Sequence, residues 1–300
     1  MGKGTSVARS LLMLVLAFAI RPCGASTFDQ DFPKKISTEH FVFYCQGPGT
    51  ENVEQIAAFS EGFLAVIKSR FFEPAYDYPI HVLALPTPEA FGRYLHERHG
   101  ITQPPRFGIF FSELRTFITF ESSGLGTFAH EILHPLVERN LPHCPAWATE
   151  GITAFFEKFF GYWENGRLVL NFGYQNPWRI HQLGDGIDRI DLGEILHRRE
   201  NNYALTQNSD CRLVSLFLWR QGKLKDYLDL VRLGDRRGRD TYLEATLGVS
   251  LKEIEPAWRK YLQDTRHIRP FIYTIPPSAV FPNRADFDSF VRQNLLNLIF

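Results

Sequence analysis

The stretch "GTFAHEILHPLVERN" runs from Gly126 to Asn140. Leu125, Phe128, Ala129, Ile132, Leu133, Leu136 and Val137 recur at the i, i+3, i+4, i+7 spacing of a helix with one broad apolar face. His130, Glu131 and His134 lie off the centre of that face. Residues four apart on a helix stand about 40° apart around the axis and one turn apart along it, so both imidazoles can reach one ion. Glu131 is rotated about 100° from His130, too far to share that ion easily but within reach of water held on it. Pro135 removes a helical hydrogen bond to the Glu131 carbonyl and biases His134 away from helical angles, so the helix is expected to kink or loosen there.

Two histidines leave a metal site incomplete, because a catalytic zinc usually takes three protein ligands and one open position. "PAWATEGITAFFE" (Pro145 to Glu157) follows after a turn marked by Asn140 and Pro142. It reads as a second helix, and Glu150 on it offers the third ligand. The bland alternative for Glu150 is a solvated acid in a first helical turn. His143, Glu138 and Glu157 are the competing donors. Pro142 and Pro145 hold His143 in a turn, Glu138 follows the disturbed turn at Pro135, and Glu157 is two turns beyond Glu150. Glu138 and Glu157 fall near the site by periodicity and can orient the histidines, but solvated charges are the expected reading. Gly151 and Ala154 are small enough for close approach of the two helices. His143, His181 and His197 read as ordinary histidines.

"HEILH" followed by "WATEGITAFFE" resembles the gluzincin-type zinc peptidases, more closely the peptidase MA-like group, whose pattern is H-E-x-x-H and then a W-x-x-E-G-x-A helix. The resemblance is strongest over residues 106–160 and extends, more weakly, over 38–265. It implies a zincin-like fold, with a mixed sheet whose edge strand borders the cleft and zinc held between two helices. It carries His130, His134 and Glu150 over as zinc ligands and Glu131 as the general base acting on water at the metal. Pro135 departs from the family's usual residue. Tyr203 is the nearest counterpart of the family's later tyrosine, and Tyr203 or His181 would then steady the oxyanion. "RTFITF" (Arg115 to Phe120) would hold an extended peptide by strand addition. The implied activity is hydrolysis of peptide bonds in a peptide or protein substrate. The competing reading is a non-catalytic, metal-stabilised binding module of the cell envelope, for which an intact Glu131 would be superfluous.

The rest of the chain places this motif in an α+β fold. "HFVFYC" (His40 to Cys45) and "PIHVLAL" (Pro79 to Leu85) read as strands, with a helix over residues 52–71 between them. Thr87 and Pro88 open a further helix. "FGIFF" and "RTFITF" are two extended runs around a polar turn at Ser112 and Glu113. Residues 124–139 and 145–160 are the two site helices. Beyond Asn165 the pattern reads as helical. "CRLVSLFLWRQG" and "LKDYLDLVRLG" each stop at glycine, and Ser250 with Glu253 forms a capping box. Pro256 is expected to kink that last helix. From Pro270 an extended, proline-containing tail is expected, closing with "FDSFVRQNLLNLIF", which packs on the domain.

Residues 1–25 read as an export signal: Lys3 and Arg9, an apolar run from Leu11 to Ile20, and Cys23-Gly24-Ala25 for cleavage. Ten apolar residues fall short of the roughly 20 that a membrane span needs. The expected organisation is a signal segment over 1–25, a peptidase domain over 26–269 and a C-terminal extension over 270–300. Loss of Lys3, Arg9 and Arg21 from the 33 bases leaves 30 against 33 acids. No basic stripe suits nucleic acid, and the cluster Arg236, Arg237, Arg239 is broken by Asp235 and Asp240. An exported location is expected: periplasmic, cell-envelope or extracellular. Cys45, Cys144 and Cys211 would remain, an odd count that fixes no pairing.

Overall fold

Alternation in the early strands decides which face of the sheet each helix covers. The computed structural model describes residues 28–47, 50–197, 207–234 and 241–295. Its larger sheet has the strand order β1 (Lys34–Ser37), β2 (Phe41–Cys45), β3 (Ile80–Leu85), β5 (Thr116–Phe120), β4 (Gly108–Phe111). β2, β3 and β5 run parallel, and β1 and β4 flank them antiparallel. Phe41, Phe43, Val82, Ala84 and Phe117 face one core, while Tyr44, Leu83, Leu85, Ile118 and Phe120 face another. That is the period of two expected of pleated strands. The central strands are nearly continuous apolar runs because both faces are covered. α2 (Thr50–Arg70) and α4 (Leu125–Asn140) cover the first face. α3 (Pro88–His99) and the short α1 (Phe28–Asp31) cover the second.

α3 starts as its sequence dictates: the Thr87 side chain accepts from the Ala90 backbone N–H, Pro88 sits in the first turn, and Gly100 closes the helix at φ 68°. α4 is anchored by Phe128, whose ring packs on Phe41, Phe43, Phe59 and Phe117. His130 and His134 follow Phe128 by about 200° and 240° around the helix, so they turn away from the sheet. α4 continues as a helix through Pro135 to Asn140. α5 (Ala146–Phe156) returns across α4.

Two expectations beyond Asn165 need correction. The segment just past Asn165 is not helical but is the second strand of a hairpin, β6 (Phe160–Glu164) and β7 (Arg167–Asn171). Asn165 and Gly166 at its tip both have positive φ, 49° and 74°, the pair a two-residue hairpin turn with matching twist requires. The tail is not simply extended either. β8 (Ala279–Phe281) adds to β6 in parallel, and α13 (Arg284–Asn294) packs Phe287 on Tyr162 and Phe290 on Phe160.

The remaining helices wrap the far side of α5: α6 (Pro177–Leu183), α7 (Leu192–Leu196), α8 (Gln207–Arg220), α9 (Leu224–Leu233), α10 (Tyr242–Leu247), α11 (Leu251–His267) and α12 (Arg269–Ile272). α11 carries the expected Ser250–Glu253 capping box and runs unbroken past Pro256. Among the described residues no helix is long and apolar enough to cross a membrane. Residues 1–25, Tyr203 and the Arg236–Arg239 cluster lie outside the described residues.

Gly151 and Ala154 serve a different contact from the one expected. A Cβ on Gly151 would lie 2.6 Å from the Cys211 carbonyl oxygen, and the Ala154 carbonyl accepts from Arg212 Nε at 2.7 Å. The small residue Gly151 therefore admits α8, and Ala154 meets α8 through its backbone carbonyl. Gly151→Val is expected to cost at least about 2 kcal/mol by overpacking and to lower Tm by roughly 5 °C; a thermal melt followed by circular dichroism checks it.

Candidate metal centre

α4 and α5 bring together the three side chains expected to hold a metal. One ligand atom each from His130, His134 and Glu150 lies within 4.8 Å of the others. His130 Nε2 and His134 Nε2 face each other at 3.1 Å, and His134 Nε2 is 3.9 Å from Glu150 Oε1. Ligands about 2.0–2.1 Å from a tetrahedral ion stand about 3.3 Å apart, so the histidine pair already has the separation an ion requires. The other carboxylate oxygen, Glu150 Oε2, is buried and has no hydrogen-bond partner among the described residues. A cation answers both features: two nitrogens converging on one point and a buried oxygen with nothing to accept from.

Burial and the neighbouring His134 hold His130 well below the usual imidazole pKa. The neutral ring is the form that ligates. Glu131 is not part of the ligand cluster; it lines the same cleft beside it. Burial pushes its carboxyl up to about 7, reinforced by Glu150 and Glu157 and opposed by His134 and Arg179. The cleft has a volume of about 690 Å³. Phe107 and Gly108 from the β4 approach, Trp178 and Arg179 from α6, and Pro277 and Ser278 before β8 form its other walls.

Glu157 departs from the reading as a solvated charge. It is 8% exposed and accepts from Arg179 Nε at 2.9 Å, Arg179 Nη2 at 2.8 Å and Asn176 Nδ2 at 2.7 Å. Arg212 Nε lies 3.6 Å from Oε1, and His130 Nδ1 lies 3.5 Å from Oε2. Burial alone would raise this carboxyl, but the arginines and His130 bring it down to about 2. The outer nitrogen of the His130 imidazole thus stands beside an ionised carboxylate without hydrogen-bonding to it, Nδ1 being buried and without a hydrogen-bond partner among the described residues. Glu138, by contrast, is exposed as expected.

His181 is exposed, packs edge-on near Tyr273 and does not line the cleft, so it cannot steady an oxyanion there. His143 is likewise exposed and sits against Gly234, which removes it as a ligand. "RTFITF" becomes β5, paired on both sides by β3 and β4, so it has no edge for a peptide; β4 is the edge strand. No family model matches this chain, and no curated protein matches it.

Asn176, Arg179, Arg212 and Lys158 were not expected at the site. The signal for Lys158 and its neighbour was present: "AFFEKFFGYW" sets Glu157 and Lys158 between pairs of phenylalanines, where a charge has to be buried and partnered. Glu157→Ala leaves two arginines without their carboxylate. It is expected to destabilise the fold by about 3–5 kcal/mol and to weaken metal binding by about 10–100-fold. Urea unfolding and zinc titration against a chromogenic chelator measure the two effects separately.

Proposed function

We propose that this chain is an exported zinc-dependent metallopeptidase, of the gluzincin type and similar to the peptidase MA-like group. The observation that carries the reading is the convergence of His130, His134 and Glu150 in a cleft that also presents Glu131. Two imidazoles and a carboxylate suit a borderline-soft ion and leave one position open. The His–Glu pattern on α4 and the Glu-bearing α5 are the parts the family likeness rests on.

Bound zinc would supply Lewis acidity, polarising a carbonyl and lowering the pKa of water to about 7. The protein's own groups do the rest. Glu131 is one residue from a ligand and lines the cleft, so its carboxylate can take a proton from water and return it to the departing amine. Glu157 stands 3.5 Å behind the His130 ring, close enough to favour a proton on Nδ1 and leave Nε2 to face the cleft. β4 lies at the sheet edge beside the cleft and can align an extended peptide by main-chain hydrogen bonds; this role passes to β4 from "RTFITF". Tyr203 retains its family-derived role only as an expectation.

Purified without chelator, the chain is expected to carry about one zinc by elemental analysis. Glu150→Ala should weaken zinc binding by orders of magnitude, while His143→Ala leaves it unchanged. Glu131→Gln should keep the zinc and the fold and lose at least about 10²–10⁴-fold in peptide hydrolysis. A Glu131→Gln variant that cleaves at the parental rate would exclude the mechanism. A parent that binds zinc but cleaves no peptide in a broad library would favour the binding-module reading.

A further inference from the structure

The cleft beside the metal centre is lined by cations whose hydrogen-bonding capacity is not used up. Lys158 is 3% exposed, yet it lines the cleft. One of its three N–H groups goes to the Pro276 carbonyl, and its Nζ stands 5.0 Å from the centre of the Phe160 ring; it has no other hydrogen-bond acceptor among the described residues. Arg179 is 6% exposed and also lines the cleft. Its Nε and Nη2 are taken by Glu157, while Nη1 makes no hydrogen bond among the described residues. Arg212 lies behind both, with its guanidinium against Glu157 and backbone carbonyls.

The charge count points the same way. Leaving aside the exposed Arg106 at the mouth, the acids Glu131, Glu150 and Glu157 offset Lys158, Arg179 and Arg212. A divalent ion on His130, His134 and Glu150 then leaves the site with two positive charges in excess. Uncompensated charge in a buried site is costly, and an anionic group entering the cleft relieves it. Burial, with Arg212 nearby and Glu157 opposing, pushes the Lys158 ammonium down to about 7, a shift that an anion beside it would reverse.

We propose that Lys158 and Arg179 form an anion subsite next to the metal centre, which takes a carboxylate of the peptide substrate. This rests on the metallopeptidase reading for its substrate class. A carboxylate can accept from the spare N–H groups of both residues, and charge-assisted bonds of this kind are the strong ones. The carboxylate can be the C-terminus of the peptide or an acidic side chain. The first makes the enzyme one that trims from the C-terminus, and the second one that cuts beside Asp or Glu.

The test is calorimetric titration of the zinc-loaded full chain with two matched pairs of probes. N-acetylphenylalanine and its amide differ only in a C-terminal carboxylate. N-acetylglutamate amide and N-acetylglutamine amide differ only in a side-chain carboxylate. The acid of one pair is expected to bind at least about tenfold more tightly than its neutral partner, and the pair that discriminates identifies the source. Lys158→Met, which keeps the volume of the stem, should cut that preference to under about threefold. Equal binding of acid and neutral probe in both pairs overturns the subsite. So does a preference that survives Lys158→Met, since the carboxylate is then only a ligand of the ion. If the chain takes up no zinc, the peptidase reading fails separately. The same titrations on the chain as purified then decide the subsite by the same Lys158-dependent preference.

Discussion

The carboxylate of Glu157 is the constraint on which the site depends. It sits at the end of α5 and accepts from Asn176 and Arg179 at the start of α6, lies beside Arg212 of α8 and reaches back to His130 of α4. An ionised carboxylate this deep is tolerable only if its oxygens are fully engaged. Each of those elements must therefore arrive within a few tenths of an ångström of its place. Hydrophobic burial alone tolerates repacking; a buried ionic knot does not. Its backbone carbonyl also accepts from Ser278 Oγ, so the segment before β8 is fixed to the same point.

Phe128 is the complementary constraint on the other side of α4. Its ring contacts four phenylalanines drawn from β2, α2 and β5, which sets the rotation of the helix about its axis. With that rotation fixed, the helical period alone puts His130 and His134 over the cleft. Pro135 is tolerated because helix positions beyond it still bury Leu136 and Val137, and that burial outweighs one missing hydrogen bond.

Local pattern made much of this legible. Strands β2 to β5 of the larger sheet, the Thr87 cap, the Ser250–Glu253 box and the His130–Glu131–His134 face all follow from periodicity and from residue types with fixed conformational preferences, whereas β1 went unread. Glu150 was within reach because the next apolar helix offered it as a donor, as the family resemblance also implied, ahead of His143, Glu138 and Glu157. What escaped was of two kinds. The β6–β7 hairpin carried a readable Asn165-Gly166 signal that the apolar flanks obscured. The partners of Glu157 carried none: Arg179 and Arg212 are 22 and 55 positions downstream, and nothing local says that their helices fold back onto α5. Long-range charge pairing is a property of topology, and one sequence does not display topology before the fold is known.

The parallel addition of β8 to β6 has a consequence in time. His130, His134 and all three acids of the cleft are made by residue 157, whereas the wall that Lys158 and Phe159 grip comes from residues 276–278. At about 5–20 residues per second, synthesis leaves roughly ten seconds between the two. During that interval a growing chain holds the complete ligand set but an open-sided cleft, with the edge of β6 uncovered. Completing the His130–His134–Glu150 group and enclosing the cleft are thus separate events in the synthesis of the chain, and the second waits for β8, the last of the described strands.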